Sequence, residues 1–248
     1  MIKKASLPWN TLRVLLACAM LLMTVANTAS AQKHSEAYAA WERGDHATAA
    51  RLLQPLALQG NAYAQTALGV MYTYGQGVPQ DFTEALRWYR RAAEQGLADA
   101  QNNLGVMYEY GQGVLQDHAE AARWYRRAAE QGNANAQGSL GSMYFDGKGV
   151  AQDYVEAVRW IKHAAEWGHA GSQMGLGVLY ASGLGVPQDY VAAHKWLNLA
   201  AARFSASENE KRDLAFSTRE QVAAKMTPAQ MAEAQRLARE WQPTSSDR

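Results

Sequence analysis

The sequence predicts an all-α fold, an α-solenoid of stacked helix–turn–helix repeats with helical caps. Three observations carry this expectation. A 36-residue period runs without gaps through residues 61–96, 97–132, 133–168 and 169–204. Within each unit, apolar and small residues recur at spacings of three and four, which puts them on one helical face. A single helix pair cannot bury such a face alone, whereas stacked pairs can.

Residues 1–31 precede the fold. Lys3, Lys4 and Arg13 open the segment, an apolar run from Val14 to Ala26 follows, and Ala29-Ser30-Ala31 closes it. This is the three-part order of a secretory signal peptide cut after Ala31. The apolar run falls short of the ~20 residues that span a bilayer, and no other stretch qualifies. The mature chain is therefore expected to be exported, in the periplasm, with no transmembrane segment. Leu15-Leu16-Ala17-Cys18 is similar to a lipoprotein cleavage box, but few apolar residues precede Cys18 and the run continues past it. The cleaved-signal reading is preferred. It leaves no cysteine, because Cys18 is the only one; an oxidising compartment permits disulfides without requiring them. Packing alone must hold a chain that is long enough for a substantial core.

The 24 Lys and Arg against 23 Asp and Glu give a net charge of +1, and losing Lys3, Lys4 and Arg13 makes it −2. A near-neutral surface argues against nucleic acid as a partner, since phosphate binding needs a concentrated basic face.

Residues 32–60 read as a degenerate capping repeat. Gly44-Asp45 replaces the long loop, and Leu52, Leu56, Ala57 and Gly60 take the second-helix pattern. The first helix of the first full unit is expected over residues 61–73, with Gln65, Leu68, Gly69 and Tyr72 on one face. Gly69 costs about 1 kcal/mol in a helix relative to Ala, so its recurrence as Gly105, Gly141 and Gly177 implies a neighbour too close for a side chain. Gly75-Gln76-Gly77 ends that helix. The second helix starts at Asp81, whose carboxylate caps free N–H groups, and Glu84 completes a capping-box pattern. Asp117 with Glu120 and Asp153 with Glu156 repeat the pattern; Asp189 is followed by Ala192 instead. Ala85, Trp88 and Ala92 form the buried face, with Trp88 recurring as Trp124, Trp160 and Trp196.

Residues 205–248 read as C-terminal capping helices and a tail. Ser207 and Glu210 suggest one helix start. Thr227-Pro228-Ala229-Gln230 is a stronger one, with Pro at the first helical position. Met231, Ala234, Ala238 and Trp241 make an apolar stripe, and the tail after Gln242 is expected to be loose.

The pattern A-Q-x-x-L-G-x-M-Y-x-x-G-x-G-V-x-Q-D-x-x-x-A-x-x-W-x-x-x-A-A-E-x-G stands over residues 64–96, 100–132 and 136–168. It resembles the Sel-1-like repeat (SLR) family within the tetratricopeptide-like superfamily. The fourth copy drifts at Ser172, Leu179, Ala202 and Phe204. The resemblance implies a right-handed α-solenoid and the role of a protein-binding scaffold or adaptor. It also offers an alternative, because cysteine-rich relatives have been linked to penicillin binding or weak β-lactam hydrolysis. Those relatives carry disulfides within each repeat, which this chain lacks.

The residues themselves give no catalytic pattern: no HExxH, GxSxG or SxxK. Gly75-x-Gly77 lacks the third glycine of a dinucleotide loop, where Gln80 stands, and no strand precedes it. The six histidines fall at unrelated repeat positions, so no metal set forms by symmetry. Asp81, Asp117 and Asp153 have a sufficient role as caps. Arg90-Arg91 and Arg126-Arg127 read as a solvated outer face. Trp167 stands where Gln95 and Gln131 do, and is either an exposed contact or packed on the C-terminal cap. No enzyme, metal or cofactor is expected.

The resemblance further implies that the first helices line an inner, concave surface. Aligning Leu68, Gly69 and Tyr72 on that geometry gives the variable inward positions, which form the candidate site for a protein or peptide partner. They are Tyr63, Thr66, Val70, Thr73 and Tyr74, then Asp99, Asn102, Val106, Glu109 and Tyr110. The third unit supplies Asn135, Gly138, Ser142, Phe145 and Asp146. The fourth supplies Gly171, Met174, Val178, Ala181 and Ser182.

Overall fold

A 36-residue hairpin built on this pattern closes at three points, and each is visible in the computed structural model, which describes residues 32–244. The segment read as a signal peptide, with Cys18, and residues 245–248 lie outside the described residues. The chain divides into two compact units, residues 1–91 and 92–248. The first holds helical residues 32–42 (α1), α2 (His46–Leu58), α3 (Ala62–Tyr74) and most of α4 (Phe82–Glu94). The second holds α5 (Ala98–Tyr110), α6 (His118–Glu130), α7 (Ala134–Asp146), α8 (Tyr154–Glu166), α9 (Ala170–Ser182), α10 (Tyr190–Arg203), α11 (Asn209–Ala223) and α12 (Pro228–Glu240). No strand occurs among the described residues. The architecture is the repeated helix pair of an α-solenoid.

The first closure is the end of the first helix. Gly147 ends α7 at φ 69°, left-handed backbone that only glycine adopts cheaply. Two residues on, Gly149 seats the loop on the start of α6, where an added Cβ would stand 2.2 Å from His118 O. The glutamine that follows then clamps the turn: Gln152 Nε2 donates to Phe145 O at 2.7 Å, as Gln80, Gln116 and Gln188 do to Thr73, Glu109 and Ala181.

The second closure is the start of the second helix. Asp81, Asp117, Asp153 and Asp189 accept from the N–H three residues on, at 3.0–3.1 Å. The capping box is only half formed. Glu84, Glu120 and Glu156 do not turn back to the aspartate N–H; they pair with Arg87, Arg123 and Arg159 one turn later. The aspartate N–H already has a partner, because Asp81, Asp117 and Asp153 donate to Tyr72, Tyr108 and Tyr144 O at 2.9–3.0 Å. With that donor satisfied across the hairpin, the glutamate is released to the surface.

The third closure is the helix crossing. A Cβ on Gly69 would meet the Tyr89 ring at 2.5 Å, one on Gly105 the Tyr125 ring at 2.7 Å, and one on Gly141 Ile161 at 2.5 Å. Ala64, Leu68, Trp88 and Met71 fill the core of the first unit with Leu53, Leu56 and Ala57 of α2. In the second unit Trp124, Trp160 and Trp196 are likewise buried. The basic runs are solvated as expected, Arg90, Arg91 and Arg127 being exposed and Arg126 half-buried, and they also touch rings. Arg91 and Arg127 lay their guanidinium groups 5.0 and 4.5 Å from the Trp88 and Trp124 ring centres, and Arg126 donates to the Tyr144 hydroxyl at 2.6 Å. Such stacking keeps the charge wet while covering the indole.

At the C-terminal end two expectations shift. A 3-10 turn, Ala206–Glu208, capped by a Ser205–Glu208 box, leads into α11, so the capping residue is Ser205 rather than Ser207. Of the tail expected to be loose, the described part is tied at one point: Thr244 N donates to Glu166 O at 2.8 Å. Thr227 and Gln230 make the expected box on α12, with Pro228 at its first position. Trp241 packs edge-on to Trp196 at 6.0 Å and sits under Arg203. Trp167 is the last residue against α8, 41% exposed.

Candidate binding surface

The first helices are held by a repeated buried contact that leaves their variable positions free. Gln65, Gln101, Gln137 and Gln173 each reach back eight residues, donating to Ala57, Ala93, Ala129 and Ala165 O at 2.9–3.2 Å. Each ties a first helix to the end of the helix before it. The N-caps vary more: Asn61 and Asn133 accept from Ala64 and Ala136 N at 2.9 Å, while Leu97 offers no side-chain cap. His169 takes the same position in the fourth repeat. Its Nδ1 accepts from Ser172 N at 3.1 Å and lies 2.7 Å from Ser172 Oγ. That geometry needs neutral imidazole with the proton on Nε2, and burial, helped by Lys211, holds its pKa below the ordinary 6.5 against the opposing pull of Glu208.

In the first unit the predicted positions fall into two kinds. Tyr63 and Tyr74 are exposed. Tyr63 and Val70 line an apolar cleft of about 250 Å³ with Tyr38, Trp41 and Leu53. Thr66 and Thr73 turn their hydroxyls back to Ala62 and Gly69 O of their own helix, and Thr73 also lies 3.3 Å from the Tyr89 hydroxyl. Burial pushes Tyr89 up to about 12.

In the second unit Val106, Glu109, Tyr110, Asn135 and Ser142 line one groove of about 460 Å³, within the range of ordinary ligand sites, about 300–1,000 Å³. Gly138, Gly171 and Gly175 line it too. A second cleft of about 260 Å³ is lined by Ser142, Phe145, Asp146 and Val178. The remaining positions line neither of these two spaces. Asp99 accepts from the Asn133 side chain at 2.9 Å. Asn102 is buried, 9% exposed. Met174 packs with the cap, against the clusters of Phe204 and Ala215 and of Leu197 and Val222. Ala181 joins the second of these clusters, and Ser182 is exposed at the helix end.

Sequence reasoning missed part of the groove. Tyr125 comes from a second helix, yet its hydroxyl donates to Glu109 Oε2 at 2.6 Å. Burial, then this bond, raises its pKa beyond the working range. His169 and Ser172 also line the groove. The alignment of His169 with Asn61 and Asn133 was the available signal for its capping role. Among the described residues no three His, Asp or Glu gather as a metal set, and no helix is long and apolar enough to cross a membrane.

A family model described as the Sel1 repeat matches residues 62–97, 98–133, 134–169 and 170–203. The structure is similar to that of a protective antigen present in uropathogenic Escherichia coli strains, which displays an SLR fold (39% identity, TM-score 0.67, over 74% of this chain and 40% of the antigen). The chain thus spans less than half of the antigen's length. It is also similar to a Sel1 repeat protein from Oxalobacter formigenes (34% identity, TM-score 0.65, 69% of this chain and 68% of that one). No curated protein matches the chain.

Proposed function

The chain belongs to the Sel1 repeat family, and from that premise we propose that it is an exported scaffold that binds a protein or peptide partner through the faces of its first helices. Repeats of this family generally mediate protein–protein interaction. One observation carries the reading here: the second-unit groove is lined by residues that differ between repeats, Glu109, Asn135 and Ser142, on a framework that largely does not. Variable side chains on an invariant scaffold are how a solenoid tailors a surface. Asn102, which is buried, and Met174, which packs against the C-terminal cap, are left out of the proposed contact set.

The test is a differential capture. Immobilised wild-type chain and the double variant Asn135→Arg with Ser142→Arg, matched by circular dichroism, are exposed to the same cell extract. A partner held by the first and lost by the second supports the reading. Partners retained equally by both remove the groove from it. Export rests on residues 1–31, and N-terminal sequencing of the mature protein should begin at Gln32; a chain still starting at Met1 would end that part of the proposal.

A further inference from the structure

Resting on the protein-binding reading above, we infer that the second-unit groove receives a Lys or Arg side chain of its partner, with Glu109 as the anchor. Glu109 is half-buried in the groove wall. Its Oε2 accepts from the Tyr125 hydroxyl at 2.6 Å, which fixes the carboxylate without neutralising it. No cation lies within ion-pair distance of it among the described residues. Withdrawing a carboxylate from water without a counter-ion is unfavourable, so a cation brought by a partner gains more here than at an open surface.

The first helices around it carry no positive charge of their own. α5, α7 and α9 contain no Lys or Arg, and they contribute Asp99, Glu109 and Asp146. Two cations reach the margins: Lys148 feels the Glu109 charge at longer range but pairs with Asp146 at 2.8 Å, and Lys211 pairs with Glu208 at 3.1 Å. The second helices hold the chain's repeated arginines, and Arg127 is stacked on Trp124. Glu109 is the one carboxylate in the groove lining and no Lys or Arg lines it, and electrostatic complementarity of this kind selects partners.

Shape adds to charge. Gly175 leaves room for close approach, the nearest neighbour of an added Cβ standing at 3.7 Å. Tyr110, beside Glu109 and 65% exposed, offers a ring face for the alkyl stem or charged head of a long cationic side chain. The repeats also fix the register. The positions equivalent to Glu109 are Thr73, Phe145 and Ala181, so this repeat alone presents an acid there.

The experiment is selection from a random peptide display library on the full mature chain, in parallel with Glu109→Gln. Wild type should enrich peptides with Lys or Arg at one fixed position, and Glu109→Gln should lose that enrichment. Replacing the cation by Gln in a selected peptide should weaken binding to wild type about tenfold or more, the size of a charged hydrogen bond. This second measurement leaves the protein unaltered, so a folding defect in Glu109→Gln cannot mimic it. Peptides selected without a fixed cation, or a loss below about twofold, overturn the anchor and leave the protein-binding reading standing. Failure to select any peptide sinks that reading and the anchor with it.

Discussion

The Tyr125 hydroxyl donates to Glu109 Oε2 at 2.6 Å, joining a second helix to the groove wall. The equivalent pair in the first unit is Tyr89 with Thr73, at 3.3 Å and neutral. Hydrogen bonds to charged groups contribute about 1.5–3 kcal/mol and neutral ones about 0.5–1.5 kcal/mol. Tyr125→Phe should therefore cost about 1–2 kcal/mol, water recovering part of the loss at a half-buried carboxylate, and Tyr89→Phe less. Urea unfolding of both variants compares them. A Tyr125→Phe no worse than Tyr89→Phe would mean the bond is not formed in solution.

Two helical glycines should respond to alanine with opposite signs. Alanine gains about 1 kcal/mol of helix propensity over glycine. At Gly175 the new methyl meets Ile161 at an ordinary 3.7 Å, so Gly175→Ala should raise Tm by a few degrees. At Gly141 it would stand 2.5 Å from Ile161 Cγ1 and 3.2 Å from Ala157 O. Backbone cannot swing aside, and overpacking of this kind costs about 1–3 kcal/mol. Gly141→Ala should lower Tm; a rise at both sites would show that α7 and α8 do not cross closely.

Trp124 is 8% exposed in the interior of the second unit, and truncating a buried Trp costs about 3–5 kcal/mol. That is a large part of a typical stability of roughly 5–15 kcal/mol. Trp124→Ala should lower Tm markedly. Deleting residues 97–132 as one period should do less harm, because Gly96 then meets Asn133 in register and each repeat contacts only its neighbours. Thermal unfolding followed by circular dichroism ranks the two. The reverse order, an unfolded deletion beside an unperturbed Trp124→Ala, is incompatible with a modular solenoid.

Stability should fall as the pH drops below about 6.5. His169 is held below its ordinary pKa of 6.5 by burial and Lys211, and His194 by burial and Arg219. As pH falls through 6.5 the unfolded chain takes up protons that the folded chain refuses, so unfolding is favoured until the lowered folded values are reached. His169→Asn keeps an N-cap of equal rank and removes one of the two groups. Its Tm should change less than that of wild type between about pH 7.5 and 5.5. An identical slope in both proteins would show that His169 does not carry the effect.

The periodic parts of this molecule were legible because each depends on contacts a few residues apart. Asp153 caps α8 three residues on, Gly147 ends α7, and Thr227 with Pro228 opens α12. These are backbone requirements that a single residue type meets in place. What failed was reasoning that stayed local when the partner was distant. Glu84 fits a capping box by spacing, but Tyr72 O occupies the Asp81 N–H across the hairpin. Arg127 is exposed as its register implies, but the register does not tell that the Trp124 ring lies beneath it. Asn102 has the register of a surface position and is buried instead.

The sequence by itself determined the repeat, its helices, their caps and the small residues at their crossings, since a 36-residue period repeats every local requirement four times. Only the tertiary structure decided the surface. Glu109 and Tyr125 lie 16 residues apart, and His169 shares a groove with Val106 across two repeats. Such neighbours are set by how one hairpin stacks on the next, a packing relation between side chains that no spacing along the chain encodes.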